Sequence, residues 1–387
     1  MKKIKVLSVI GTRPEVIKMA PVIKELQKRA RAFDQTVVIT GQHKEMCRPY
    51  LDLFSIVPNW DLAIMQKDQT LNSIIASIMS ALPRVLADFA PDVVLVQGDT
   101  SSAFAAALAA FHGQIKVGHV EAGLRTGAKY NPFPEEMNRA LIGRISDYHF
   151  APTTRARDNL IHEGISPDYI FVTGNTSIDA LKMTLAASRT QAPGPIAGLD
   201  LNGGRVIAVT THRRESFGEP LANTLLALKE IVTRYPDVRV VLPVHYNPNV
   251  RTQVYKILDG IDRVYLIEPL EYRSFIELLD RSYLILTDSG GIQEEAPSLG
   301  KPVLVLRETT ERPEGIEAGT ARLIGTDSGK IVAAVATLLD DQQAYQAMAC
   351  AVNPYGDGTA AIRIVDALQG DLAQIAKADT IRPRRAI

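Results

Sequence analysis

The chain has 387 residues, which is long for one hydrophobic core and predicts two or three domains. Its 43 basic and 43 acidic side chains cancel, so net charge gives no reason to expect nucleic acid or an anionic membrane as a partner. With 46% hydrophobic and 22% charged residues, the composition predicts a packed globular protein.

The N-terminus has two lysines followed by an apolar run that predicts a first strand from Ile4 to Ile10. Gly11 to Glu15 interrupts this run before it could serve as a signal-peptide core. No apolar segment reaches the roughly 18 residues that span a bilayer. The two cysteines are too few for a disulfide framework. We therefore expect a soluble, cytoplasmic protein without membrane contact.

Apolar, β-branched runs recur in two series, with helix-like stretches between most of them. The first series is Ile4 to Ile10, Thr36 to Thr40, Val93 to Gln97, Ile115 to Val120, Tyr148 to Ala151 and Tyr169 to Val172. The second is Val206 to Thr210, Val238 to Leu242, Val264 to Ile267, Tyr283 to Thr287 and Pro302 to Leu306. Such alternation predicts an α/β fold with parallel sheets covered by helices.

Two such series predict two Rossmann-like, doubly wound parallel-sheet domains facing a cleft, because the loops after the strands of such sheets bind ligands. We place the N-terminal domain at residues 1–172 plus 360–387 and the C-terminal domain at residues 173–359. A Pro/Gly-rich loop from Ser188 to Gly204 lies near the boundary. Thr359 is predicted to cap a helix that runs to about Gln369 and returns to the first domain.

The stretch Asp288 to Glu295 follows an apolar strand and predicts a tight turn and a helix start. Gly290 and Gly291 leave room for a ligand, and the first helical turn offers free N–H groups and a positive dipole end to a phosphate. Glu295, about one turn into the helix, could accept two hydrogen bonds from a ribose diol. A nucleotide diphosphate site is predicted; an ordinary Gly-containing turn is the alternative.

Charged residues follow other strands. Arg13 and Lys18 could reach a diphosphate or could be solvated charges at a helix start. Asp99 could be catalytic or could cap the alanine-rich helix after it. Glu121 lies at the buried end of a strand, where a carboxylate needs a partner or a role, and Arg125 is the nearest candidate partner.

His212 is the histidine best placed to meet both a phosphate and a reacting sugar, whereas His119 lies within an apolar strand and is expected to be a packed core residue. No pair of His or Cys residues has zinc spacing, and no Asp-x-Asp pair is present to hold a metal on a diphosphate. We therefore expect neither metal nor cofactor. Cations of the protein, Arg312 among them, must then neutralise the phosphates.

Seven segments together resemble the non-hydrolysing UDP-N-acetylglucosamine 2-epimerases. They are Gly11 to Glu15, Gln97 to Thr100, His119 to Thr126, Asn131 to Arg139, Thr211 to Glu215, Asp288 to Glu295 and Thr309 to Gly315. The resemblance covers the chain from residue 4 to the helix after Gly358. It implies a fold like the GT-B glycosyltransferases, interconversion of UDP-GlcNAc and UDP-ManNAc for cell-surface polysaccharide precursors, and a homodimer.

The resemblance also implies roles for residues. The implied catalytic set is Asp99, Glu121, Glu135 and His212. The implied UDP-binding set is Arg13, Lys18, Ser289, Gly290, Gly291, Glu295 and Arg312, with Phe275 beside the uracil and Leu270 where relatives carry Gln. Gln42, Arg213 and His245 match a second, activating UDP-GlcNAc site, but Glu45 and Asp68 depart from its pattern.

Three alternatives stay open from the sequence. A hydrolysing epimerase would release UDP and free ManNAc, a GT-B glycosyltransferase would share the nucleotide site without needing the three acids, and a noncatalytic sugar-nucleotide sensor would only bind. The sugar could also be a related UDP-2-acetamido sugar. In the expected reaction UDP is eliminated to give a 2-acetamidoglucal and then added back, with Asp99 as the base and His212 supporting the leaving phosphate.

Overall fold

The structure is a computed structural model that describes residues 2–42, 44–66, 69–188, 194–201, 203–211, 213 and 216–379. These residues fall into two compact units, Met1–Ala180 with Gly356–Ile387 and Leu181–Tyr355. Within the described stretches, no helix combines the length and the apolar character that a bilayer crossing requires.

Strands and helices alternate along the first unit. Its elements are β1 (Ile4–Ile10), α1 (Arg13–Lys28), β2 (Phe33–Ile39), α2 (Lys44–Leu53), β3 (Trp60–Asp61), α3 (Leu71–Phe89), β4 (Val93–Gln97), α4 (Ser101–His112), β5 (Lys116–Val120), α5 (Glu135–Ile145), β6 (Tyr148–Ala151), α6 (Thr154–His162) and β7 (Ile170–Val172). Helix α7 (Thr176–Ser188) begins in this unit and ends in the second.

The second unit repeats the pattern. Its elements are β8 (Arg205–Thr210), α8 (Glu219–Arg234), β9 (Val238–Pro243), α9 (Pro248–Leu258), β10 (Val264–Ile267), α10 (Tyr272–Arg281), β11 (Leu284–Thr287), α11 (Gly290–Glu295), β12 (Val303–Val305), α12 (Pro313–Glu317), β13 (Ala321–Leu323), α13 (Ser328–Asp340) and α14 (Gln342–Ala349). The chain then returns to the first unit as α15 (Ala360–Asp379).

Each unit is built on one parallel sheet. In the described part of the first unit the sheet has seven strands in the order β3-β2-β1-β4-β5-β6-β7. The sheet described in the second unit has six strands in the order β10-β9-β8-β11-β12-β13. All of the pairings are parallel. The predicted fold class, two doubly wound parallel-sheet α/β domains, is confirmed.

Helices cover both faces of each sheet, which explains why the strands are apolar throughout. In β11, Leu284 and Leu286 point into a core cluster with α8, α9 and α13, whereas Ile285 points into a second cluster with α10 and α11. Alternate residues of a strand face opposite sides, so a strand covered on both sides must be apolar at every position. Burying each such side chain contributes about 1.5–3 kcal/mol.

The last helix packs on the first unit, against α1 and β1. It ends ten residues later than predicted from the sequence, and Leu372 continues the buried stripe of Ile364 and Leu368 past Gln369. The predicted cap is wrong. The carboxylate of Asp179 accepts hydrogen bonds from the amides of Ala360 and Ala361, and the Thr359 hydroxyl donates to Asp357 instead.

Two short strands were not predicted. Strand β3 contains two residues, Trp60 and Asp61, and β13 contains three, Ala321 to Leu323. Both lie at sheet edges, where a strand has one hydrogen-bonded neighbour and needs no long apolar run. Their sequences therefore lack the pattern by which the inner strands were found.

Candidate active site

In each sheet, successive strands are first added on one side of the first strand and then on its other side. The reversal lies between β1 and β4 in the first sheet and between β8 and β11 in the second. At such a switch point the two following loops leave the sheet in opposite directions and open a crevice at the carboxyl edge of the strands. Arg13 and Asp99 follow the strands of the first pair, and Ser289 follows a strand of the second.

Asp99 lies in the turn between β4 and α4. It does not cap α4, because Thr100 is the N-cap and its hydroxyl accepts a hydrogen bond from Ala103 N. The carboxylate of Asp99 instead forms an ion pair with Arg139 at 2.5 Å, and its carbonyl accepts from the side-chain amide of Asn138. The capping alternative considered from the sequence is therefore wrong, and Asp99 is held by α5.

Glu121 directly follows β5 and is buried. Its carboxylate is 2.6 Å from Lys18 Nζ and also accepts a hydrogen bond from the Gln97 side chain. The predicted partner, Arg125, is wrong, because its guanidinium pairs with Glu163 at 2.6 Å. Glu121 also has a φ of +67°, a conformation that is uncommon for residues with a Cβ and that clusters at functional sites.

Two adjacent acids begin α5 and have different surroundings. Glu136 is buried and accepts hydrogen bonds from the amides of Thr126 and Gly127 at 3.0 Å, so it fixes the loop before the helix. It also lies 3.5 Å from Arg139. Glu135, the predicted catalytic residue, is half-buried at the first position of the helix. Neighbouring acids thus divide into one that holds backbone and one that remains accessible.

Three of the four predicted catalytic residues are brought together. Burial raises the pKa of Asp99, and the nearby carboxylates of Glu121 and Glu135 raise it further, while Arg139 and Lys18 lower it. A carboxylate whose pKa is raised in this way accepts a proton more readily than a solvated Asp does. The fourth residue, His212, lies outside the described residues.

The remaining predicted residues of the first unit lie around the end of β1. Arg13 is exposed at the first position of α1, with its guanidinium over the Tyr50 ring at 5.8 Å. Lys18, predicted to contact a diphosphate, contacts Glu121. Gln42, predicted for the second site, accepts a hydrogen bond from the Ser102 hydroxyl at 2.6 Å. Asp68, the departure noted for that site, lies outside the described residues, and Glu45 is exposed.

In the second unit the turn after β11 is fixed by hydroxyl groups and one buried acid. The Thr287 hydroxyl accepts from Ser289 N at 3.0 Å and contacts the Thr210 hydroxyl at 2.6 Å, which joins β11 to β8. Asp288 is fully buried, and its carboxylate accepts from Arg213 N at 2.9 Å and from the Ser216 hydroxyl. The loop that follows β8 is thereby attached to the glycine turn.

Two arginines lie beside this turn. A Cβ placed on Gly290 would be 3.8 Å from the Arg213 guanidinium and 4.0 Å from that of Arg312, whereas a Cβ on Gly291 would meet open space. Arg312 is held by Glu294, to which its Nε donates, and by the Tyr355 hydroxyl, which donates to its carbonyl. Positive charge and an accessible backbone therefore occur together, as an anion site requires.

The other predicted residues of the second unit are placed as follows. Phe275 and Leu270 are partly buried against the cluster that covers one sheet face, and Glu295 is half-buried at the last position of α11. His245 accepts a hydrogen bond from Asn247 N through its Nδ1. Arg213, also predicted for the second site, pairs with Glu311 at 3.4 Å.

His119 is a core residue, as predicted. It is fully buried on β5, its Nε2 is 2.7 Å from the carbonyl oxygen of Gly98, and burial lowers its pKa to about 3. The neutral ring supports the turn that precedes Asp99. Across the described stretches, no three His, Cys, Asp or Glu side chains are arranged to hold a metal ion.

Three residues that contact Asp99, Glu121 or the turn beside them were not selected from the sequence: Glu15, Gln97 and Arg139. Glu15 stands three residues after Thr12, the spacing of a capping box, which suggests a local role only. Arg139 lies one helical turn after Glu135 and Glu136, a spacing that predicts an ion pair within the helix. No sequence pattern marks Gln97, whose contact to Glu121 depends on the pairing of β4 with β5.

Comparison with known proteins identifies the family. The family described as UDP-N-acetylglucosamine 2-epimerase matches residues 24–369. The chain belongs to this family. The UDP-N-acetylglucosamine 2-epimerase of Salmonella typhimurium is 55% identical over 370 residues, which cover 94% of this chain and 98% of that protein. That of Bacillus subtilis is 53% identical over 368 residues, 95% of this chain and 96% of the relative.

Solved structures of this epimerase family have the same fold. The crystal structure of UDP-GlcNAc 2-epimerase from Neisseria meningitidis bound to UDP-GlcNAc aligns with a TM-score of 0.85 at 48% identity. The alignment covers 95% of this chain and all of the other. The GT-B-like fold that the sequence predicts for this chain is thereby confirmed.

Proposed function

We propose that this chain is a non-hydrolysing UDP-GlcNAc 2-epimerase that interconverts UDP-GlcNAc and UDP-ManNAc. The observation that supports this most directly is the group of acids Asp99, Glu121 and Glu135 at the switch edge of the first sheet, paired with Arg139 and Lys18. Family membership supports it independently. So does the bound UDP-GlcNAc of the Neisseria meningitidis enzyme.

Inversion at C2 requires the C1–O bond to break first. The C2 hydrogen of a 2-acetamido sugar is not acidic, because no carbonyl group adjoins that carbon. When the electron pair of the C1–O bond departs with UDP, the ring gains oxocarbenium character and C2–H becomes acidic. A carboxylate takes the proton, the C2–H pair becomes the C1=C2 bond, and a 2-acetamidoglucal results.

The return steps give the epimer without a redox cofactor. A proton is delivered to the opposite face of C2, and a phosphate oxygen of UDP forms a new bond to C1. We propose Asp99 as the base of the elimination, with Glu121 and Glu135 orienting the sugar or returning the proton. The raised pKa of Asp99 suits a group that must accept a proton and release it again.

The leaving diphosphate needs fixed positive charge. Arg312 beside Gly290 and the amides that begin α11 are suited to this, together with Arg13 at the start of α1. His212 is proposed to support the same phosphate. Ser289, Gly291 and Glu295 complete the proposed UDP site, with Phe275 and Leu270 near the base.

Incubation with UDP-GlcNAc in deuterium oxide tests this function. A non-hydrolysing epimerase should yield UDP-ManNAc that carries deuterium at C2. Release of UDP with free ManNAc would indicate the hydrolysing reaction, and absence of C2 exchange would favour a glycosyltransferase or a sensor. A panel of UDP-2-acetamido sugars in the same assay would identify the substituents that the enzyme accepts.

Three further expectations belong to this proposal. The enzyme is proposed to act as a homodimer, which sedimentation equilibrium would test, and to supply cell-surface polysaccharide precursors. A second UDP-GlcNAc is proposed to bind through Gln42, Arg213 and His245. If it activates, the initial rate should depend on UDP-GlcNAc with a Hill coefficient above one; a hyperbolic dependence would argue against this site.

A further inference from the structure

The carboxylate of Glu15 joins the loops that follow two strands. Oxygen Oε2 accepts hydrogen bonds from the amides of Gly11 and Thr12, which follow β1. Oxygen Oε1 accepts from the hydroxyl of Thr100, which follows β4. One side chain therefore connects the two loops at the switch point of the first sheet.

This arrangement exceeds what a helix cap needs. In a capping box the third helical residue accepts from the N-cap amide at the helix surface. Glu15 makes that bond to Thr12, but it is only 2% exposed and takes two more donors, one of them from the other loop. Burying a carboxylate costs several kcal/mol unless its partners compensate, so a purely local cap would not favour this position.

The junction around Glu15 is closely packed. A Cβ on Gly11 would lie 2.4 Å from the Cβ of Ser102 and 3.1 Å from the Glu15 carboxylate. The loop after β1 therefore touches the start of α4, with the carboxylate at the contact. Thr100, whose hydroxyl donates to the Glu15 carboxylate, is the residue next to Asp99 and the N-cap of α4.

We propose that Glu15 is a positioning residue for the epimerase reaction, which holds the turn from Gly98 to Thr100 and, through it, the carboxylate of Asp99. This inference rests on the proposed function. Arg139 and Asn138 hold Asp99 from α5, and Glu15 holds the turn from α1. Two-sided support fixes the carboxylate, and a displacement of about 1 Å can slow a positioned reaction up to about a hundredfold.

The direct test is Glu15→Gln. The Gln side chain keeps the volume and one acceptor oxygen, but its amide group cannot accept from the Thr100 hydroxyl. We expect kcat for UDP-GlcNAc to fall about tenfold while KM stays within about twofold, because the turn moves and the UDP contacts do not. UDP affinity, measured by calorimetry, should not change.

Variants at Thr100 separate positioning from folding. Thr100→Ser keeps the hydroxyl and should retain the wild-type kcat. Thr100→Val loses it, together with the N-cap hydrogen bond from Ala103 N, and should lower kcat at least as much as Glu15→Gln does. The double variant should be little slower than Thr100→Val alone, because that variant already lacks the contact between Glu15 and Thr100.

Glu25→Gln is the matched control. Glu25 is a buried acid of the same helix, and it pairs with Arg29 away from the acid group. We expect its kcat to equal that of the wild type. A Glu15→Gln enzyme with wild-type kcat, or with a loss of stability alone, would overturn the proposal. If Glu15→Gln does not fold, an unchanged kcat in Thr100→Val overturns it. Absence of C2 exchange in the wild type would refute the proposed function instead.

Discussion

The carboxyl edges at the two strand reversals, between β1 and β4 and between β8 and β11, have the same topology but carry different side chains. In the first unit the edge holds acids in contact with cations: Asp99 with Arg139, and Glu121 with Lys18. In the second unit the edge holds a glycine turn fixed by hydroxyl groups, and Arg213 and Arg312 flank Gly290. The first arrangement suits the proposed proton transfer, and the second suits the proposed binding of a diphosphate.

The proposed division of roles would show how one fold supports two tasks. A doubly wound sheet fixes where loops leave the strands but not which side chains they present. Acids at an edge need partners that prevent their mutual repulsion, which α1 and α5 supply in the first unit. A phosphate needs amides and guanidinium groups, which α11 and the loop at Arg312 supply in the second.

The strongest test of the proton-transfer edge is Asp99→Asn. Because the amide cannot act as a base, we expect exchange of solvent deuterium into C2 to fall at least about a thousandfold. UDP binding, measured by calorimetry, should be unchanged, because the proposed phosphate contacts lie elsewhere. Exchange at the wild-type rate would show that Asp99 is not the base. The proposed role of the first edge in proton transfer would then lose its main support.

Glu15, the buried acid that joins the loops after β1 and β4, should also affect the stability of the folded protein. Burial raises the pKa of Glu15 from its ordinary 4.5 to about 7, although the Thr100 hydroxyl and the amides of Gly11 and Thr12 oppose the rise. The nearby carboxylate of Asp99 raises the pKa of Glu15 further. Burial raises the pKa of the Cys47 thiol, and Glu15 in turn raises that pKa further. Between pH 4.5 and pH 7 the unfolded chain releases a proton that the folded protein keeps, so stability falls as the pH rises.

Glu15→Gln cannot ionise and isolates this contribution. The free energy of unfolding of the wild type, minus that of the variant, should be highest below pH 4.5 and should fall by up to about 3 kcal/mol as the pH approaches 7. Urea unfolding at a series of pH values measures it. A difference that is independent of pH would mean that Glu15 ionises normally in the folded protein.

At the anion-binding edge, Arg312→Ala should weaken UDP binding about thirtyfold, because a charge-assisted contact to phosphate is lost. The effect on kcat should be smaller than the effect on affinity. Arg251→Ala is the matched control: Arg251 belongs to the same unit and pairs with Glu268 on the surface. Equal UDP affinities in the two variants would show that the guanidinium beside Gly290 does not contact the diphosphate.

Lys18→Ala tests whether Lys18 supports the acids of the first unit or binds the diphosphate. Its ammonium group is 2.6 Å from Glu121, so we expect kcat to fall about tenfold with UDP affinity retained. Lys24→Ala, on the same helix but bonded to the Ser55 carbonyl, should behave as the wild type. Loss of UDP affinity without loss of kcat would assign Lys18 to the diphosphate, as expected from the family resemblance.

Much of the fold could be predicted from the sequence, because buried parallel strands have continuous apolar runs. The predicted series found the inner strands of both sheets. The edge strands β3 and β13 were missed because each contains an exposed charged residue, Asp61 or Arg322, in place of an apolar run. The length of α15 and its cap by Asp179 were also missed. That acid lies on α7, far away in the chain, and no local pattern connects it to the helix that it caps.

For the candidate site, the sequence supplied the residues and the structure supplied their partners. Asp99, Glu121 and Glu135 were selected from strand ends and from the family resemblance. The predicted partner of Glu121 was wrong, because Arg125 is near in sequence whereas Lys18 is 103 residues away and is brought close by the packing of α1.

The sequence by itself determined the two parallel-sheet domains, the glycine turn and the family, since periodicity and turn chemistry are local properties of the chain. Only the tertiary structure decided which cation neutralises which acid and that Glu15 joins two loops. Those contacts depend on which strands are neighbours in the sheet, and neighbouring strands are set by packing rather than by distance along the chain.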